Sequence, residues 1–98
     1  MSSHRLQEAL EIVRRRREQA AATGIELVGV VGSVARGEDS PDSDVDVAYR
    51  LVGRADLFDL GGLLMDLRDD LHGRVDLVDI DHARPRMKAR LERDLIKL

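Results

Sequence analysis

Apolar residues near the start of the chain follow the spacing of an amphipathic helix. These residues are Leu6, Leu10, Val13, Ala20 and Ala21. Because side chains three or four residues apart lie on one helical face, we predict a helix over about residues 4–22. Ser3 is the candidate N-cap of this helix and Gly24 the candidate terminator. The arginines of residues 14–17 point in four directions around it, which favours a solvated surface over a phosphate-binding patch.

Two later stretches show the same periodicity. In the first, the apolar positions are Leu57, Leu60, Leu64, Leu67 and Leu71. In the second, they are Met87, Leu91, Leu95 and Leu98. Pro85 precedes the second stretch and favours the first turn of a helix. Gly61 and Gly62 lie inside the first, where each costs about 1 kcal/mol relative to alanine, so we expect close backbone packing or a kink there.

Three shorter stretches have the composition of strands. Residues 25–31 are nearly all apolar, as in a central strand buried on both faces, and residues 44–51 and 74–80 mix β-branched and acidic residues. Residues 33–43 are rich in Gly, Ser, Pro and Asp and predict a helical turn followed by a loop. The order of elements predicts one α/β (α+β) domain over residues 1–98, with a small mixed sheet of three or four strands flanked by helices.

Composition narrows the range of partners and sites. The 98 residues suffice for one domain, and 43% hydrophobic residues supply a core. Aromatic residues make up 2% and the net charge is −3, so we expect neither a nucleic acid nor an anionic membrane as partner. Cysteine is absent, which leaves oxygen and imidazole as metal ligands. No signal-peptide core or spanning segment is evident, and the expected location is the cytoplasm.

The candidate chemistry centres on two aspartates. Asp44 and Asp46 are two residues apart, so on a strand their side chains point to the same side while Val45 and Val47 point into the core. At about 6 Å and an effective dielectric near 20, two carboxylates repel by roughly 2–3 kcal/mol. A cation would relieve that repulsion. Oxygen ligands completed by phosphate oxygens describe a magnesium site in a phosphoryl- or nucleotidyl-transfer enzyme.

A phosphate-binding turn is predicted just before these aspartates. Gly32 and Ser33 directly follow the first strand, where a glycine lets a phosphate approach the backbone and the next amides can point at it. The Ser33 hydroxyl is a further donor. Arg36, one turn later, is either a phosphate ligand or a surface ion-pair partner.

These segments together closely resemble the signature of the DNA-polymerase-beta-like nucleotidyltransferase superfamily. The resemblance rests on residues 32–38 (Gly-Ser-Val-Ala-Arg-Gly-Glu), residues 43–46 (Ser-Asp-Val-Asp), and residues 74–78 followed by Pro85. More narrowly, the chain resembles a minimal nucleotidyltransferase, the antitoxin partner of HEPN-domain toxins. The resemblance extends over nearly the whole chain.

The resemblance implies a set of roles for the site residues. Gly32 and Ser33 would bind the nucleoside triphosphate, and Asp44 and Asp46 would hold Mg²⁺, two ions in all. Asp76 would complete the triad and accept the proton of the attacking hydroxyl. The implied reaction moves AMP from ATP onto a tyrosine of a HEPN toxin in a hetero-oligomeric complex.

Other interpretations of these acids remain to be weighed. Without the resemblance, Asp76 also fits a buried acid paired with an arginine. Asp79 competes for the role of third carboxylate but has the opposite strand parity, which favours a strand-end acid in solvent. The loop acids Glu38, Asp39 and Asp42 are expected only to solvate the turn.

Rival classes of protein fit the sequence less well. Asp42, Asp44 and Asp46 match the first ligands of an EF-hand loop, but Val47 and Gly53 stand where that loop needs Gly and Glu. No Gly-Lys-Ser/Thr motif follows either glycine cluster, which argues against a P-loop. A nucleotide-binding antitoxin that blocks its toxin without catalysis remains the alternative function.

Overall fold

A four-stranded mixed sheet forms the centre of the computed structural model, which describes residues 4–40 and 42–98. The strands are β1 (Ile25–Val31), β2 (Val45–Leu51), β3 (Val75–Asp79) and β4 (Ile96–Lys97). Their order in the sheet is β3-β2-β1-β4, with β2 parallel to β3 and β1 antiparallel to both β2 and β4. The predicted fold class is confirmed, and the sheet has four strands within the described residues.

Five helices surround this sheet in the described part of the chain. They are α1 (His4–Arg15), α2 (Arg17–Ala22), α3 (Gly32–Arg36), α4 (Leu57–Leu71) and α5 (Pro85–Asp94). The helix predicted over about residues 4–22 is therefore two helices, because Arg16 leaves helical geometry at φ −96° and ψ 0°. The predicted N-cap Ser3 lies outside the described residues. No helix in the described ranges has both the length and the apolar character needed to cross a membrane.

The larger part of the core lies between one face of the sheet and α1, α2 and α4. Its buried residues are Leu6, Ala9, Leu10, Val13, Ala20, Ile25, Leu27, Val30, Val34, Val45, Val47, Tyr49, Leu63, Leu67 and Val75. Ala21, predicted on the buried face of the first helix, is exposed because the chain changes direction at Arg16.

A smaller cluster covers the opposite face of the sheet, beneath α5. It contains Val31, Ala48, Ile80 and Leu91. Because β1 contributes Val30 to one cluster and Val31 to the other, the expectation of a strand buried on both faces is confirmed. Ala48 lies on the α5 side, so by strand alternation Asp46 lies on that side as well.

The helix α4 packs on the core along most of the predicted apolar stripe, but not at its first position. Leu63 and Leu67 are fully buried, whereas Leu57, predicted on the apolar stripe, is 83% exposed. An added Cβ at Gly61 or Gly62 would meet no heavy atom within 4 Å, so the predicted close packing at these glycines is wrong. The residues of α4 that pack against the core are Leu60, Leu63, Leu64, Leu67 and Leu71, so four predicted positions are confirmed and Leu63 joins them.

The last predicted helix ends earlier than its apolar pattern suggested. Leu91 is buried, but Met87 is 48% exposed and Leu95 lies at the C-cap, after which β4 begins. The carbonyl of Ile96 in β4 approaches Gly29 of β1 so closely that a side chain at Gly29 would overlap it. The glycine is therefore required for β4 to pair with β1.

A bidentate ion pair joins the first two helices to α4. Arg16 Nε lies 2.7 Å from Asp70 Oδ2, and Arg16 Nη2 lies 2.9 Å from Asp70 Oδ1. The Arg16 hydrogen bond lowers the pKa of Asp70, so the pair forms with a charged carboxylate. Within the run 14–17, Arg16 therefore holds two elements together, which corrects the expectation of a merely solvated face.

We expect Asp70→Asn to lower the free energy of unfolding near neutral pH by about 0.5–1 kcal/mol. Because the folded-state pKa of Asp70 is lowered, this contribution exists above the ordinary value of 3.8 and disappears as the pH falls below it. Urea unfolding of wild type and variant across pH measures it, with Glu18→Gln on the exposed side of α2 as control. An equal loss in strong acid would contradict this account.

Candidate active site

The turn between β1 and α3 places the backbone against a carboxylate. Gly32 has φ +76°, a left-handed conformation that side chains rarely adopt. A Cβ at this position would also overlap Asp46 Oδ2. The backbone angle therefore requires glycine at this position, and a larger residue would also displace the Asp46 carboxylate.

The helix α3 presents its first turn next to this contact. Ser33 follows Gly32 and is partly buried, and the first amides of a helix have no acceptor within it. Gly37 ends α3 at φ +73°, and the amide of Glu38 donates to the carbonyl of Ser33 over 2.9 Å. The structure therefore places Gly32 and Ser33 together at the start of a single, firmly ended helical turn.

Three aspartates meet on the same side of the sheet. Asp46 in β2 is the register partner of Asp76 in β3 and of Val31 in β1. Asp44 lies one residue before β2 and shares the side of Asp46 by strand alternation. Burial raises the pKa of Asp46, and the charges of Asp76 and then Asp44 raise it further, while Arg36 acts in the opposite direction. The structure thus places the three predicted carboxylates on one side of the sheet, within electrostatic range of one another.

One oxygen of this group is left without a protein partner. Asp44 Oδ1 is buried and accepts no hydrogen bond, the only such side-chain atom found in the described ranges. A buried, unsatisfied polar atom costs roughly 1–3 kcal/mol. The orphaned oxygen and the raised pKa of Asp46 fit a divalent cation, since oxygen ligands are those that Mg²⁺ prefers.

Asp76 is the least constrained of the three acids. Its side chain is 54% exposed, with Arg68 Nη2 3.9 Å from its Oδ1. The alternative role of Asp76, a buried acid paired with an arginine, is therefore wrong about burial. The arginine partner, Arg68, is present. Across residues 4–40 and 42–98, no three acidic or histidine side chains are grouped closely enough to hold one metal ion as they stand. A ligand role for Asp76 stays a prediction.

Arg36 takes part in two ion pairs. Its Nε donates to Glu38 Oε2 over 2.9 Å, and its Nη1 donates to Asp94 Oδ2 over 2.7 Å. The second contact joins α3 to the end of α5. Glu38 is therefore an ion-pair partner and not merely a solvated loop acid. Phosphate binding by Arg36 stays a prediction.

Asp79 is held within the turn after β3. Its carboxylate accepts hydrogen bonds from the amides of Asp81 and His82 and lies 2.8 Å from the His82 ring. Its side chain is only 21% exposed, so the expectation of an acid in solvent is wrong. These contacts give Asp79 a structural role at the turn.

Arg5 is a residue near the site that the sequence analysis did not identify. Its guanidinium donates to the carbonyl of Ser40 over 2.8 Å and to the carbonyl of Ser43, and it lies 3.4 Å from Asp39. Ser43 directly precedes Asp44, so Arg5 of α1 fixes the loop that delivers the first aspartate. No local signal marks this arginine, because its partners are more than thirty residues away.

The comparisons with known proteins agree with this geometry. A family model described as polymerase beta, nucleotidyltransferase matches residues 16–97. The chain belongs to the polymerase-beta nucleotidyltransferase family. The resemblance seen in the sequence is thereby confirmed, together with the nucleotidyltransferase type of fold. A comparison with curated protein sequences finds no match.

Two solved structures are similar to this nucleotidyltransferase domain. A protein described as a candidate minimal nucleotidyltransferase is 38% identical, with TM-score 0.73, covering 91% of this chain and 95% of that one. A toxin–antitoxin structure with AMP-PNP is 22% identical, with TM-score 0.59. The match covers 87% of this chain and 64% of that one, so the domain spans somewhat less than two thirds of it. The second likeness concerns the fold alone.

We expect Asp46→Asn to raise the free energy of unfolding near neutral pH by on the order of 1 kcal/mol in metal-free buffer. Because the folded-state pKa of Asp46 is raised, the wild type loses stability as the pH rises through that pKa, and the variant does not. Below the ordinary value of 3.8 the two proteins should be equally stable. Urea titrations in chelator measure this, with Asp42→Asn in the exposed loop as control. A variant less stable than wild type near neutral pH would refute it.

Proposed function

We propose that this nucleotidyltransferase transfers AMP from ATP to a tyrosine hydroxyl of a HEPN-class toxin and so acts as its antitoxin. The observation that carries the proposal is the contact between Gly32 and Asp46, which joins a phosphate-binding turn to the acidic cluster. A phosphate held at this turn would lie beside Asp44 and Asp46. The toxin–antitoxin structure with AMP-PNP supports a nucleotide and a protein partner.

Each site residue has a distinct part in this proposal. The amides that follow Gly32 and the Ser33 hydroxyl bind the triphosphate, as the start of a helix favours anions. Asp44 and Asp46 hold magnesium, with Asp76 as the third carboxylate. Magnesium bound at two positions would neutralise charge on the triphosphate and on the pyrophosphate that leaves. Arg36 is within electrostatic range of Asp46. If it broke its ion pair with Glu38 or with Asp94, its positive charge would become available to the bound triphosphate.

The transfer itself is a single displacement at phosphorus. The tyrosine oxygen attacks the α-phosphorus, an oxygen–phosphorus bond forms, and the bond from that phosphorus to the bridging oxygen breaks. Pyrophosphate leaves. The tyrosine proton passes to Asp76, which is exposed enough to meet an incoming hydroxyl. The acidic side of the sheet thus supplies both phosphate positioning and a base.

We expect Asp44→Asn with Asp46→Asn to abolish transfer and Asp76→Asn to lower it by at least about a hundredfold, since each 1.4 kcal/mol of lost stabilisation is about tenfold. Ser33→Ala should be milder, about tenfold, because the backbone amides remain. Mass spectrometry of the partner after incubation with ATP and Mg²⁺ measures the added AMP on tyrosine. Asp42→Asn is the control for lost charge, and full activity of the double variant would exclude the proposed site.

A second function is favoured by one observation. Because no three acids are preassembled around a metal position in the described ranges, the domain can be a nucleotide-binding antitoxin that covers its toxin without catalysis. In that case Ser33→Ala and Asp76→Asn should both neutralise the toxin as wild type does. Catalysis requires instead that Asp76→Asn fail to neutralise. Growth rescue of cells that express the toxin, paired with the mass measurement, separates the two functions.

A further inference from the structure

The outer face of α4 carries large apolar side chains that the fold does not use. Leu57 is 83% exposed, Phe58 90% and Met65 58%. Phe58 and Met65 lie on the side of α4 opposite Leu63 and Leu67, which pack into the core, and Leu57 is the exposed first residue of the helix. Exposed apolar side chains that share one helical face are typical of an interaction surface.

Two glycines occupy the middle of this face. Gly61 and Gly62 are exposed, and neither has a heavy atom within 4 Å of an added Cβ. Glycine weakens a helix interior relative to alanine, and no neighbour in the described part of the chain requires it at these positions. Without side chains at the centre, the backbone of another helix can approach α4 closely, between Phe58 on one side and Met65 on the other.

We propose that this face binds a second copy of the chain, with the two α4 helices antiparallel and a two-fold axis passing between Gly61 and Gly62. In such an isologous contact, each residue faces the one equally far on the other side of the axis. Phe58 then faces Met65 of the second copy, which gives a sulfur–aromatic contact on both sides of the axis.

The charges at the two ends of α4 favour this arrangement. Arg54, in the loop before α4, has Asp69 of the second copy as its counterpart. A parallel arrangement would instead place Arg54 beside Arg54 and Asp69 beside Asp69. Charge complementarity therefore favours an antiparallel second copy.

The other exposed helix does not offer a comparable surface. On α5, Met87 is 48% exposed, but it is surrounded by positive charge. The basic residues at and within this helix are Arg84, Arg86, Lys88, Arg90 and Arg93. Two copies meeting through α5 would repel each other, so α4 is the surface suited to self-association.

The proposed dimer leaves the acidic cluster accessible. The helix α4 packs on the face of the sheet that carries Val45 and Val47, whereas Asp46 lies on the α5 side. Dimer formation through α4 therefore leaves the acidic side of the sheet open. A single helix face of 15 residues gives an interface at the small end of the usual range, so we expect a dissociation constant in the micromolar range.

Sedimentation velocity over a micromolar-to-millimolar concentration series tests the proposal. Wild type should show a monomer–dimer equilibrium. Gly62→Gln should weaken association at least tenfold, because the long side chain blocks the crossing, while thermal stability of the monomer is kept or raised. Met87→Gln on α5, the matched control, should associate as wild type does.

A charge reversal tests the antiparallel register. Arg54→Asp should weaken association, and Arg54→Asp combined with Asp69→Arg should restore it. A wild type that stays monomeric at every concentration would overturn the proposal and assign the face to a different protein. Unchanged association of Gly62→Gln, or no rescue by the double reversal, would overturn it as well.

Discussion

The register between β2 and β3 is the constraint on which the rest of the candidate site depends. Parallel pairing sets Asp46 directly beside Asp76, and the antiparallel partner β1 ends beside Asp46 at Gly32. A slip of one residue would turn Asp46 into the core and Val47 out of it. The buried valines of β2 therefore fix the register, and the register in turn brings the carboxylates together against their mutual repulsion.

The strand β2 presents its residues to two core clusters of unequal size on opposite faces of the sheet. Val45, Val47 and Tyr49 face a large core built with α1, α2 and α4, which supplies most of the buried apolar surface. The other face carries the acids and only a small cluster under α5. Because the large core fixes the backbone of β2, the acidic face can hold an unsatisfied oxygen and a carboxylate of raised pKa without unfolding the sheet.

The sequence predicted the elements whose signals are local and missed those that depend on distant partners. Strand β1 follows from a short apolar run and β2 from alternating acidic and apolar residues, and the spacing of Asp44 and Asp46 placed them on one side of a strand. The two-residue strand β4 has no periodic pattern, since its pairing is set by the gap at Gly29. Arg5 carries no local signal either, because its role arises only when α1 packs beside the loop before β2.

Two electrostatically costly features coincide beside a left-handed glycine in this structure. Gly32 has a left-handed backbone, Asp46 lies against it with a raised pKa, and Asp44 keeps a buried oxygen without a partner. A purely structural role does not explain them, since apolar residues of similar volume would pack these positions with less electrostatic cost. Unpaired and repelling polar groups of this kind concentrate where a protein binds a ligand. A cation at the acids would give the Asp44 oxygen a partner and relieve the repulsion at Asp46, and a phosphate at the adjoining turn would reach the same cation, so the proposed cation and phosphate positions form one site.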